Sequence, residues 1–261
     1  MTLIVGILCK DGVVVTSDSA ATFGTGLQST IGQQEVQKVQ RVNDHIIYCG
    51  TGAIGISQLV SDRVRSLWDS KAFSGKISPD AAMDKIGKDI IQLVGPYLQT
   101  AQFQQPMTGG ASSSFCKSLI AMPVDSKPHL FQFEFNGAPE RCNKDTPFVS
   151  LGSGQPIADP FLAFLRRLLW SNHEPSLSEG RLAAVWTIDH VRRTNPGGVG
   201  GSIQLATLES VSNKMPMVNI ASPQDVEEHL QKVSLAEQAL VRELIGKGDV
   251  NQGTGLPPPP K

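Results

Sequence analysis

The 261-residue sequence is poor in most of the features that mark specialised protein classes. Its four cysteines, Cys9, Cys49, Cys116 and Cys142, lie far apart and form no Cys-x-x-Cys step. Such spacing fits neither a disulfide-dense scaffold nor a zinc knuckle. Three of the thiols sit in apolar contexts, where cysteine behaves as a small hydrophobe. The five histidines show no HxxxH or HExxH spacing, so no zinc site is expected. No apolar run approaches the roughly 18 residues of a membrane-spanning helix. Neither sign of charge dominates: 23 basic against 24 acidic residues leave a net charge of −1. That balance provides no electrostatic footprint for nucleic acid or an anionic membrane. With 40% hydrophobic and 18% charged residues, the chain has material for a core and is too apolar for disorder.

The start of the chain is apolar, from Thr2 to Cys9, but lacks a basic leading region and stops at Lys10-Asp11-Gly12. No export signal is visible, so a cytoplasmic location is expected. Strand patterns cover 3–9 and 12–17, with Asp11-Gly12 between them as a hairpin signal. A stretch rich in Gly and Thr follows at 20–32, then strands at 36–42 and 45–50. Helical spacing of Ile56, Leu59, Val60, Val64 and Leu67 predicts a first helix. Ser78 as N-cap and Pro79 at the first position predict a second, running to Gly95-Pro96. Residues 101–113, rich in Gln, Gly and Ser, read as a surface loop. Strands at 115–124, 129–136 and 148–151 precede helices at 156–170 and 178–193. Strands at 202–208 and 216–220 and a helix at 223–245 complete the ordered part. The tail at 246–261 ends in four prolines and reads as extended or disordered. Helices thus come in pairs between groups of strands. This order predicts an α+β protein of antiparallel sheets covered by helix pairs, with a single domain at 1–245.

Thr2 heads the first strand. Removal of Met1 would leave it with a free α-amine of pKa about 7.7–8.0, partly neutral near pH 7. An amine tethered beside a hydroxyl is a built-in general base for that nucleophile. Many chains begin Met-Thr, so the pair gains weight only from its context. The second strand runs Val14-Val15-Thr16-Ser17-Asp18, and the hairpin brings Asp18 back towards Thr2. In 36–42, strand alternation would place Lys38 on the same face as Val36 and Val42, pointing inward. A buried Lys needs a partner, and Asp18 is the candidate. Its ammonium would lower the pKa of a nearby hydroxyl.

Several segments resemble the proteasome β-subunit family of N-terminal threonine hydrolases. Residues 2–21 (TLIVGILCKDGVVVTSDSAA) resemble the start of its mature subunits. KVQRVNDHIIYCGTG at 38–52 resembles the family's KI-x-x-I-N-D segment, which ends in a Gly-rich turn before the first helix, LGSGQP at 151–156 its GSG motif, and Asp189 a helix-borne aspartate. The Met-Thr start is most similar to bacterial members, namely the beta-proteobacterial proteasome homologue and the heat-shock-locus protease peptidase. The resemblance implies a four-layer αββα sandwich with Thr2 as nucleophile and Asp18 and Lys38 as its activating pair. It makes Gly52 the oxyanion-hole donor. Ser153 and Asp189 would hold the Thr2 amine, and Thr22, Gly52 and Ile54 would make main-chain contacts to an extended peptide. It implies no cofactor. The implied substrate is a peptide or unfolded protein, cleaved inside two stacked rings of six or seven identical subunits, with an ATPase or other activator as partner.

Departures from the family pattern are Ala20 where Arg is frequent, Arg192 where Ser is frequent, and a longer connection from Asp18 to Lys38. Glycines 197, 198, 200 and 201 lack a GK[ST] step and read as loop residues. Two other readings stay open: an N-terminal nucleophile amidase on small amides, and a catalytically silent ring scaffold. Ser153 lacks the GxSxG elbow of a Ser-His-Asp hydrolase. Ile54, Ile56 and Trp68 extend the apolar surface of the first helix beyond one face, as expected where helices meet another subunit.

Overall fold

The computed structural model describes residues 2–25, 28–108, 115–195, 198–212 and 214–245, giving the backbone alone for 22–25, 28–33 and 101–108. Met1, the glycine at 197 and the Pro-rich tail lie outside these residues.

The strands, in chain order, are β1 (Leu3–Cys9), β2 (Gly12–Asp18), β3 (Ala20–Thr25), β4 (Gln28–Glu35), β5 (Gln40–Asn43) and β6 (Ile46–Gly52), then β7 (Cys116–Val124), β8 (Lys127–Phe133), β9 (Pro139–Arg141), β10 (Phe148–Gly152), β11 (Ile203–Val211) and β12 (Lys214–Ile220). The helices are α1 (Ile54–Asp69), α2 (Pro79–Thr108), α3 (Gln155–Leu169), α4 (Leu177–Thr194) and α5 (Pro223–Ile245). One five-stranded sheet has the order β10-β1-β2-β11-β12, another the order β5-β6-β7-β8-β9, and β3 pairs with β4. All these pairings are antiparallel, as the helix-pair pattern predicted.

The unbroken apolar run of β1 follows from burial on both faces. Leu3, Val5 and Ile7 join Leu162, Trp186 and Ile188 in a cluster under α3 and α4, which also takes Val226 and Val233 of α5. Ile4 points the other way, into a cluster with Val13 and Val15 of β2 and with Ile47, Leu119 and Leu130 of the second sheet. That second sheet offers its outer side chains, Tyr48, Ile120 and Phe131, to Val60, Val64, Ile86 and Ile90 of α1 and α2. Strict alternation would fail to describe such strands, because neither face meets water.

Several expectations are corrected. Residues 36–39 are not strand; β5 begins only at Gln40. The Gly- and Thr-rich stretch forms the β3–β4 hairpin. The second helix does not stop at Pro96 but continues to Thr108, taking in most of the segment read as a loop. Proline removes one N–H and crowds the preceding turn, which a long helix can absorb as a local bend. Leu98, beyond the proline, still packs against the α1–α2 core and ties that part of the helix to the body. Gly12, at the turn into β2, is required by close packing: a Cβ there would strike the Leu208 carbonyl of β11. Of the α1 residues read as facing a neighbour, Ile54 is exposed, Ile56 is buried, and Trp68 packs partly against the core.

Candidate active site

Pairing within the first hairpin sets Ile4 opposite Ser17, so the end of β2 returns Asp18 beside Leu3. Asp18 is fully buried. Its Oδ1 accepts the Leu3 N–H at 2.9 Å and the Lys38 ammonium at 2.8 Å, and its Oδ2 accepts the Gly200 N–H at 3.2 Å. A single carboxylate thus ties together the start of β1, the lysine and the glycine loop before β11. Burial pushes the Lys38 ammonium below its ordinary pKa, and attraction and hydrogen bonding from Asp18 oppose that shift.

Lys38 does point inward, but strand alternation is not the cause. The segment that carries it is held by Gln204 of β11. Gln204 Oε1 accepts the backbone N–H groups of Lys38 (2.8 Å) and Val39 (3.0 Å), and its Nε2 donates to the Val36 carbonyl at 2.6 Å. One side-chain amide thereby satisfies a stretch of backbone that no sheet pairs. Sequence reading missed Gln204, and nothing in its local pattern marks it.

On the opposite side of Thr2 stands the turn after β10. The Thr2 N–H donates to Ser153 Oγ at 3.3 Å, and the Gly154 N–H reaches the Thr2 carbonyl at 3.4 Å. Gly152 has φ +103°, and a Cβ there would collide with the Thr2 carbonyl, so only glycine permits this approach. Gly52 ends β6 with φ +115°, where a Cβ would strike the Phe115 carbonyl that accepts the Ala53 N–H at 2.8 Å.

Thr2, Lys38, Gly52, Ile54 and Ser153 line one cavity of about 550 Å³, together with Ala21, Val36, Gln40, Gly50 and Ser57. Ile54, 52% exposed, stands at its edge. The Thr22 backbone lies in β3, and its side chain is outside the described residues. A separate cavity of about 410 Å³, bounded by Lys10, Asp145 and Trp170, contains none of the residues gathered around Thr2.

Asp189 departs from expectation. It is buried at 2% exposure on α4, but among the described residues it shares no hydrogen bond with Ser153. Arg192 donates to its Oδ1 at 3.1 Å, and Arg193 lies 2.8 Å from Oδ2 as an ionic contact off the hydrogen-bond angle. Arg192 also donates to the Gly201 carbonyl at 3.0 Å. The unexpected arginine therefore braces the glycine loop whose Gly200 N–H holds Asp18, so Asp189 connects to the site through that loop.

Thr2, Lys38 with the buried Asp18 carboxylate behind it, and the glycine turn thus border one cavity. Side chains of these types, so gathered, can support nucleophilic chemistry. A sequence model of the family described as "Proteasome subunit" matches residues 2–179, a stretch that ends before Asp189. "Proteasome subunit beta 1" of Thermococcus sibiricus is 27% identical over 157 residues, 60% of this chain and 65% of that protein. "Proteasome subunit beta" of Methanococcus maripaludis is 25% identical over 237 residues, 89% of this chain and 92% of its own. Among solved structures, Anbu (ancestral beta-subunit) from Yersinia bercovieri superposes with a TM-score of 0.67 at 14% identity, covering 96% of this chain and 100% of that one. The helical assembly of the Anbu complex from Pseudomonas aeruginosa gives 0.65 at 17% identity, covering 92% and 96%.

Proposed function

The chain belongs to the proteasome subunit family, and from that premise we propose that it is a threonine-type endopeptidase subunit with Thr2 as its nucleophile. The observation that carries this reading is the buried Asp18 carboxylate, which joins the strand behind Thr2 to the Lys38 ammonium. Removal of Met1 converts the Thr2 nitrogen from a peptide N–H into an amine. The amine takes the hydroxyl proton, and Oγ1 adds to the peptide carbonyl. Lys38 favours the developing alkoxide by charge, while Asp18 fixes the position of that charge. The Gly52 N–H receives the oxyanion, a role typically worth about 2.7–4 kcal/mol. The protonated amine then gives its proton to the leaving nitrogen, and water cleaves the Thr2 ester. Ser153 orients the amine. Asp189 acts at one remove, through Arg192 and the glycine loop.

In the same reading the chain forms a single four-layer αββα domain over 1–245, from which Met1 is removed. Identical copies associate around an enclosed chamber, in the cytoplasm, with an ATPase or other activator admitting unfolded protein. Thr22, Gly52 and Ile54 offer main-chain groups to an extended peptide.

Intact mass spectrometry before and after a peptide boronate or β-lactone tests the core of this proposal. The expected result is a chain lacking Met1 that gains one adduct, lost in Thr2→Ala, together with cleavage of unstructured peptides. Adduct formation without peptide cleavage would favour an amidase on small amides. A processed chain that takes no adduct would mark a silent scaffold.

A further inference from the structure

Past the Gly52 turn, on its other side from the 550 Å³ cavity, lies a second cleft of about 380 Å³. The two share Thr51, Gly52 and Ser153 as a common wall. The second is bordered by Phe115 and Phe135, whose rings touch at a centroid distance of 4.9 Å. These rings are 40% and 38% exposed, although each carries a large apolar surface. Neither stands on a loose support. The Phe115 carbonyl accepts the Ala53 N–H and is the group that excludes a Cβ at Gly52. Phe135 follows β8, in the turn closed by the Gly137 N–H to the Glu134 carbonyl at 2.9 Å. Along the wall, Lys117 pairs with Glu134 at 2.9 Å, so each neutralises the other and the cleft makes no demand for a charged occupant.

We propose that this cleft is a subsite for the residue on the leaving-amine side of the scissile bond, and that it takes an aromatic or large apolar side chain. The orientation rests on the Thr2 reading. The departing nitrogen must receive its proton from the Thr2 amine, and the Thr2 nitrogen lies 3.3 Å from Ser153 Oγ, on the wall shared with the second cleft. A peptide whose acyl portion occupies the larger cavity therefore leaves past Ser153 towards Phe115 and Phe135. An aromatic occupant would lie against their open faces and withdraw that surface from water.

Binding to the full-length Thr2→Ala protein separates this inference from the catalytic one. The probes are two tripeptide amides with free amines, Phe-Ala-Ala-NH2 and Asp-Ala-Ala-NH2, followed by saturation-transfer NMR titration. The expected result is a preference of about tenfold for the Phe peptide. It should be lost in both Phe115→Ser and Phe135→Ser, two exposed sites whose substitution leaves the core intact. Equal binding of the two peptides overturns the proposal. So does a preference that survives both substitutions, or a failure to bind either because another copy covers the pair. A Phe preference in Thr2→Ala combined with no hydrolysis by the processed wild type would sink the Thr2 reading while leaving the aromatic subsite standing.

Discussion

Asp18 illustrates how much one buried carboxylate can organise. It accepts hydrogen bonds from Leu3, Gly200 and Lys38, so each substitution in this pair leaves a different remainder. Asp18→Ala removes at once the acceptor of the Lys38 ammonium and of two backbone N–H groups, and should cost about 3–5 kcal/mol of stability. Lys38→Met leaves the carboxylate with its two N–H donors, so the loss should be smaller, about 1–3 kcal/mol. Urea denaturation checks the order; a Lys38→Met protein less stable than Asp18→Ala contradicts it. For turnover, Asp18→Asn and Lys38→Met should each lower peptide hydrolysis by orders of magnitude, with the double variant little worse than the worse single. Additive losses would mean that the two side chains do not act as a unit. Asp18 is legible in the sequence because its hairpin returns it beside Leu3, whereas the alternation that turned Lys38 inward belongs to no strand at 36–39. Gln204 is not legible, because its partners are backbone atoms more than a hundred and sixty positions away.

At the scale of elements, α4 carries both Asp189 and Arg192, and its N-terminus is closed by a capping box. Ser176 Oγ accepts the Glu179 N–H at 3.3 Å, and Glu179 Oε2 accepts the Ser176 N–H at 2.8 Å. The Ser176 N–H above all, with the Ser176 hydroxyl and His173 beside it, holds the Glu179 carboxyl at about 2, below its usual 4.5. A depressed carboxylate contributes its stability above pH 4.5 and loses it as pH falls towards 2. Glu179→Gln should keep the cap but flatten that acid slope, by about 1 kcal/mol at a partly exposed site. An unchanged slope in thermal melts between those pH limits would refute the linkage. Ser176→Ala should cost about 1 kcal/mol, or about 2–4 °C in Tm for a chain of this size. The S-x-x-E step at 176–179 was available in the sequence and would have corrected the helix start from 178 to Leu177. The run of α2 through Pro96 was not available. Local preference opposes it, and packing on the second sheet overrides that preference.

For the whole molecule, the exposed apolar surface bears on association. Ile54, Leu59, Ile91 and Tyr97 of α1 and α2 are exposed apolar side chains, and so are Leu240, Val241, Leu244 and Ile245 at the end of α5. Such surface fits a chain that meets copies of itself. If the proposed ring is formed, light scattering coupled to size exclusion should give an assembly of many 28.0 kDa chains. A monodisperse monomer or dimer at micromolar concentration rules that out. Charged substitutions at Leu244 and Ile245 should dissociate the assembly if the α5 face is used, and leave it unchanged if only α1 and α2 are.

Legible in the sequence is the local grammar: every described helix, most described strands though not β3, β4 or β9, their antiparallel grouping, and the candidates Thr2, Asp18 and Lys38. These follow from interactions within a few positions, or from burial on both faces that leaves apolar runs too long to mistake. The tertiary structure alone decided which of those residues meet. It turned Asp189 towards Arg192 and Arg193 instead of Ser153, and it held Lys38 with Gln204 instead of a strand ladder. The physical reason is common to both cases. A buried polar group accepts whichever partner satisfies it at hydrogen-bonding distance, and a one-dimensional pattern carries no record of that distance.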